Sequence, residues 1–173
     1  MNQTLKFIFA RRSVRKYAPD KPIADTLLRD LLEAAMAAPS AVAKDPWHFV
    51  VVRDRARLSG LAEGLPNGKM LADAALGIVV CGDLEKAHGN LESYLLQDCS
   101  AAIENLLLAA TALGLGACWL GVHPREERIA HVRRLLNLPQ HVIPVAAIAI
   151  GWPAENPPPR TRYRDGAVHW EQW

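Results

Sequence analysis

Residues 91–121 read LESYLLQDCSAAIENLLLAATALGLGACWLG, and the fold turns on how they are parsed. Over 91–113 the apolar residues keep helical spacing with no Pro or Gly, which predicts one long central helix. Gly114-Leu115-Gly116 ends it, with Gly114 as the expected C-cap. Ala117-Cys118-Trp119-Leu120 then reads as a short strand. Outward from there, 125–136 reads as a charged helix and 142–150 as a strand, almost wholly apolar as in a sheet covered on both faces. On the other side, 47–52 (WHFVVV) and 77–81 (GIVVC) are short β-branched runs that read as buried strands. Leu27, Leu28, Leu31, Leu32 and Ala35 mark an amphipathic helix, with Asp25 as its N-cap and Pro39 as its stop. Leu5, Ile8 and Phe9 predict a short first helix that delivers the basic segment Arg11-Arg12-Ser13-Val14-Arg15-Lys16.

From Pro153 the composition changes to Pro157-Pro158-Pro159-Arg160-Thr161-Arg162, which predicts extended, polyproline-like backbone. The arm ends in Val168-His169-Trp170-Glu171-Gln172-Trp173, whose two tryptophans need a surface to pack on, and a partner subunit would supply one. No internal repeat or linker interrupts 1–173, so one domain with a C-terminal arm over 153–173 is expected.

With 173 residues, half of them apolar, the chain can bury a core without staples. Twenty Lys+Arg against 18 Asp+Glu leave a formal charge of +2, too balanced for wholesale polyanion binding. Neither a nucleic-acid partner nor a membrane partner is expected: no apolar run reaches the ~18 residues of a membrane span, and the N-terminus does not read as a signal peptide. Cys81, Cys99 and Cys118 sit in apolar runs, suiting buried thiols in a reducing compartment, and a cytoplasmic location is the expectation.

The sequence lacks a phosphate-binding Gly-Lys-Ser/Thr loop, a Gly-x-Ser-x-Gly elbow and a His-Glu-x-x-His pair. The histidines at 48, 88, 123, 131, 141 and 169 are too scattered to suggest a local ligand set, so no metal is expected. Gly114-x-Gly116 follows a helix and opens a strand, the reverse of a dinucleotide fingerprint. Arg11, Arg12, Ser13 and Arg15 offer guanidinium forks and a hydroxyl suited to a terminal phosphate, and Arg160 and Arg162 repeat that chemistry on the arm. Each cluster also reads as a solvated basic turn. Pro39-Ser40-Ala41, between a helix end and a strand, could meet a planar polar ring edge with free amides, or be an ordinary helix stop.

Arg11-Arg12-Ser13-Val14-Arg15, Ala38-Pro39-Ser40-Ala41 with Pro46-Trp47-His48-Phe49, Gly114 to Gly121, and Gly151-Trp152-Pro153 stand in the order and spacing of the FMN-dependent nitroreductase family. The resemblance spans nearly the whole chain. It implies an α+β fold of three α/β/α layers, with a mixed central sheet flanked by helices, in an intertwined homodimer that exchanges C-terminal arms and holds FMN at the interface. It further implies that Arg11, Arg12, Ser13 and Arg15, joined by Arg160 and Arg162, bind the FMN phosphate and ribityl end. Pro39, Ser40 and Ala41 would approach the ring from the other subunit, Leu120 and Gly121 would line it near N5, and Lys69 would lie near its N1/C2=O edge. An ammonium there would favour the reduced, anionic flavin; the alternative for Lys69 is a solvated residue after a glycine turn. The family pattern Pro-Ser-x-x-Asn-x-Gln-Pro-Trp is broken by Ala43 and Asp45, and a carboxylate at 45 would oppose negative charge on the ring unless it faces solvent.

The implied activity is ping-pong hydride transfer through FMN N5, from NADH or NADPH to a small oxidised acceptor such as a nitroaromatic or quinone, with no catalytic side chain required. Trp119 and Tyr94 are read as core residues, with contact to the acceptor as the alternative. Two other readings stay open. One keeps the fold and FMN for another flavin reaction, of the flavin-fragmenting benzimidazole synthase or reductive dehalogenase type; the other is a non-enzymatic polyanion-binding module.

Overall fold

The computed structural model describes residues 2–173. In chain order its elements are α1 (Lys6–Ala10), α2 (Asp25–Met36), β1 (Trp47–Val52), α3 (Arg55–Gly64), β2 (Leu76–Asp83), α4 (Glu92–Ala112), β3 (Gly116–Gly121), α5 (Glu126–Leu136) and β4 (Val142–Gly151). The strands form one sheet ordered β1-β2-β4-β3, each neighbouring pair antiparallel. Its mixed character comes from one place among the described residues, an isolated parallel bridge between Ser13 and Ala117 on the β3 edge.

Strand periodicity sorts the side chains of the two inner strands into two cores. Ile78, Val80, Ile148 and Ile150 pack with Leu31 and Ala35 of α2 and Leu95, Ile103 and Leu106 of α4. Val79, Cys81, Ala147 and Ala149 face the other way, onto Leu58 and Leu61 of α3 and Ile129 and Val132 of α5. The protein is therefore a three-layer α/β/α stack. β2 is buried along its whole length, whereas β1 is an edge strand buried only at Trp47 and Val52, so the reading of 47–52 as a fully buried strand is corrected.

The long helix ends as its glycine requires. Gly114 adopts φ +73°, its N–H donates to Thr111 O (3.1 Å), and Leu115 N–H donates to Ala110 O (2.8 Å). These two bonds form a Schellman motif with Gly114 one residue beyond the cap, Leu113. At α2 the sequence expectation fails: the N-cap is Ala24, without a side-chain bond, and Asp25 is the first helical residue. The Asp25 carboxylate is engaged instead by Arg53 Nη1 at 2.7 Å.

The segment after α1 is tied tightly to the sheet. Val14 N–H donates to Ala117 O (3.0 Å), and Tyr17 Oη lies 2.8 Å from Val14 O and 3.1 Å from Ala149 O. Gly116 and Gly151 permit this approach, since a Cβ on them would stand 2.7 Å from Val14 Cγ1 and 2.8 Å from Tyr17 Cδ1. Beyond β4 the arm has no helix or strand apart from a 3-10 turn at Asp165–Ala167, and Tyr163, Trp170 and Trp173 are exposed. All three cysteines are free and buried. Among the described residues no helix is long and apolar enough to cross a membrane.

Candidate functional site

A cavity of ≈ 630 Å³ opens beside β3 on the α3/α5 side of the sheet. Its apolar walls are Leu65, Met70, Trp119 and Leu120, and three cations enter it: Arg15, Lys69 and Arg128. Among the described residues no carboxylate lines it. Arg15 is held by its backbone: Glu155 Oε1 accepts the N–H of Arg15 (2.6 Å) and of Lys16 (3.2 Å). Lys69 opens the 3-10 turn Lys69–Leu71, which is pinned by buried Leu71. Arg128, in the first turn of α5, donates from Nη1 to Gly121 O (2.9 Å), while its buried Nε finds no partner among the described residues.

Cys118 lies in the cavity wall. Burial raises its thiol pKa above the usual value, against the opposing pull of Arg15 and Ser13. The thiol is therefore protonated at neutral pH and is no nucleophile. Burial likewise raises the Tyr17 hydroxyl above its usual value. An excess of fixed positive charge on an apolar-walled cleft is chemistry for a small anionic molecule with an apolar body.

Of the residues singled out from sequence, this cavity gathers Arg15, Lys69, Leu120 and Gly121. Ser13 stands behind it at the bridge to Ala117. Arg11 pairs with Glu104 of α4 at 3.4 Å, and Arg12 donates to Pro158 O. Arg160 N–H donates to Phe9 O (3.2 Å), so the two basic ends of the chain do meet, although outside the cavity lining. Arg162 is exposed on the arm. Pro39, Ser40 and Ala41 belong to the α2/α4 side, where Ala41 N–H donates to Asp98 Oδ1 at 2.9 Å. Trp119 and Tyr94 are not core residues: they are 37% and 36% exposed, Trp119 at the cavity and Tyr94 edge-on to His88. Sequence reasoning missed Arg128, because a charged helix surface gives no sign of which arginine turns inward. It also missed Asp98, whose only signal is one acid inside an apolar helix face.

A three-layer α+β architecture with a cationic cleft at a sheet edge is suited to a small anionic ligand. Residues 8–65 and 55–152 match the nitroreductase family. The chain belongs to that family. It is 47% identical, over 98% of its length and 87% of the other's, to a Methanothermobacter thermautotrophicus protein whose name pairs NADH dehydrogenase with NAD(P)H nitroreductase. Among solved structures, a similarly named protein of Parabacteroides distasonis superposes with a TM-score of 0.93 at 43% identity, covering 100% of both chains. The FMN-dependent nitroreductase of Clostridium difficile gives a TM-score of 0.84 at 30% identity, covering 96% of this chain and 98% of that one.

Proposed function

We propose that this chain is an FMN-dependent NAD(P)H oxidoreductase whose cofactor occupies the β3 cavity, in a homodimer where loop 39–41 of the partner closes the ring end. The observation that carries the reading is the meeting of Arg15, Lys69 and Arg128 in a cleft with apolar walls and no carboxylate. The residues fit the group: the volume lies within the range of small-ligand sites, and the orphaned Nε of Arg128 offers a donor that the chain leaves unused. When bound, FMN supplies two-electron exchange between a nicotinamide and an oxidised acceptor.

The chain's share is binding and electrostatics. Arg15, with its backbone clamped by Glu155, serves the phosphate end, and Arg11, Arg12, Ser13, Arg160 and Arg162 contribute charge and hydrogen bonds around it in the dimer. Lys69 would present its ammonium to the bound group, and a fixed cation in a low-dielectric cleft would stabilise negative charge there far more than water would. Leu120, Gly121 and Trp119 form the floor against which donor and acceptor bind in turn. NAD(P)H and a nitroaromatic or quinone acceptor share this one space, so parallel double-reciprocal lines are expected in steady-state kinetics.

The test is FMN retention. Purified chain is supplemented with FMN, gel-filtered and scanned for flavin absorbance, with Arg15→Ala beside the unaltered chain. The reading expects about one FMN per chain and an affinity weakened on the order of tenfold or more in the variant, since a charge-assisted contact is worth about 1.5–3 kcal/mol. No retained flavin, or an affinity indifferent to Arg15, removes the cavity as the cofactor site.

A further inference from the structure

We propose a second site, where β1 begins and β2 ends, that binds a divalent transition cation of the zinc class. Sheet register builds it from residues far apart in sequence. His48 pairs with Cys81, which puts it on the same face as Asp83 two residues further along β2. Asp83 pairs in turn with Val142 of β4, the neighbour of His141. Ligand atoms of Asp83, Glu85 and His141 all lie within 4.8 Å of one another, and His48 Nε2 stands 3.8 Å from Asp83 Oδ2. His48, Asp83 and His141 line a cavity of ≈ 340 Å³ separate from the β3 cleft.

Asp83 is the anchor. Its side chain is only 9% exposed, and its Oδ1 accepts Glu85 N–H at 3.0 Å, leaving Oδ2 for a cation. Lys86 Nζ now stands 3.7 Å from Oδ2 and 3.3 Å from His48 Nε2, so the fold already places a positive charge there. The Lys86 side chain is 56% exposed and can swing into solvent when an ion with two charges takes its place. Imidazole combined with carboxylate selects zinc-type ions; calcium and magnesium prefer all-oxygen shells. Donors around tetrahedral zinc, with bonds of about 2.1 Å, stand roughly 3.4 Å apart, so the separations among Asp83, Glu85 and His141 need to close by about 1.4 Å or less.

None of these residues lines the β3 cavity, so the test stands apart from the flavin reading. Untagged full-length chain, stripped with a chelator, is titrated with Zn²⁺ by calorimetry and by competition against a colorimetric zinc indicator. One ion per chain is expected. Affinity should fall on the order of tenfold or more in His141→Ala and in Glu85→Gln, as even outer-shell changes cost that much, and should rise in Lys86→Met. Asp83 also holds a turn, so the two peripheral variants, shown folded by thermal melting, decide the matter. No saturable binding to the unaltered chain, or binding unmoved by His141→Ala combined with Glu85→Gln, overturns the site.

Discussion

Arg15 owes its position to a carboxylate 140 positions away, Glu155, and no local pattern announces that partnership. The chemistry of the candidate site was legible residue by residue, because guanidinium forks clustered with a hydroxyl suit a phosphate. Which arginines turn into the cleft was not, because Arg11 and Arg12 find protein partners in Glu104 and Pro158 while Arg128 arrives from a helix read only as charged. Asp45 shows the same dependence on context. Its carboxylate accepts the Ser40 hydroxyl at 2.5 Å and its N–H donates to Ser40 Oγ at 3.0 Å, closing a loop in which Val42, Ala43 and Asp45 all have positive φ. At the buried edge of that loop Asp98 holds Ala41 N–H, and its second oxygen has no partner among the described residues. Asp98→Ala strands the amide, and unfolding free energy in urea should fall by about 1–3 kcal/mol. Asp98→Asn keeps the acceptor and should cost less; equal losses in both variants would remove the hydrogen bond as the cause.

At the level of elements, long regular periodicity was the dependable signal. The span read as helix over 91–113 forms Glu92–Ala112, and the glycine that follows ends it for the reason glycine does so elsewhere. Shorter-range cues were weaker: Asp25 looked like a cap, but a salt bridge to Arg53 from the end of β1 took its carboxylate. Strand order and direction had no local signature, since β1-β2-β4-β3 depends on contacts made across the chain. Gly114 gives a clean test of the helix stop, because nothing lies within 4 Å of where its Cβ would be. Gly114→Ala therefore pays only for a left-handed backbone, and a loss of about 1 kcal/mol in chemical denaturation is expected. Gly116→Ala should cost more, since its Cβ would meet Val14 Cγ1 at 2.7 Å and push the Arg15 segment off the sheet.

The whole molecule leaves apolar surface that one chain cannot cover: Phe7 and Ile8 on α1, and Trp170 and Trp173 on the arm. Exposed apolar patches of this kind mark association, and we attribute them to the proposed dimer. Deleting 157–173 should shift sedimentation toward the monomer, and an unchanged dimer would place the interface elsewhere. A second whole-molecule property follows from what both cores enclose. Burial raises the thiols of Cys81 and Cys99 from 9.0 to about 12, and raises Cys118 and Tyr17 as well. Below pH 9.0 folded and unfolded chains both keep the thiol protons, so the stabilising effect is whole. Above that, the unfolded chain gives up protons that the folded chain retains, and stability falls with pH by about 1.4 kcal/mol per unit for each thiol. The decline should run from pH 9.0 to about 12, where the buried thiols of Cys81 and Cys99 titrate in the folded state too. Urea midpoints measured across that window should drop steeply, and Cys81→Ala with Cys99→Ala should flatten the slope. A midpoint that stays level across the window would mean that these thiols ionise in the folded chain as they do in the unfolded one.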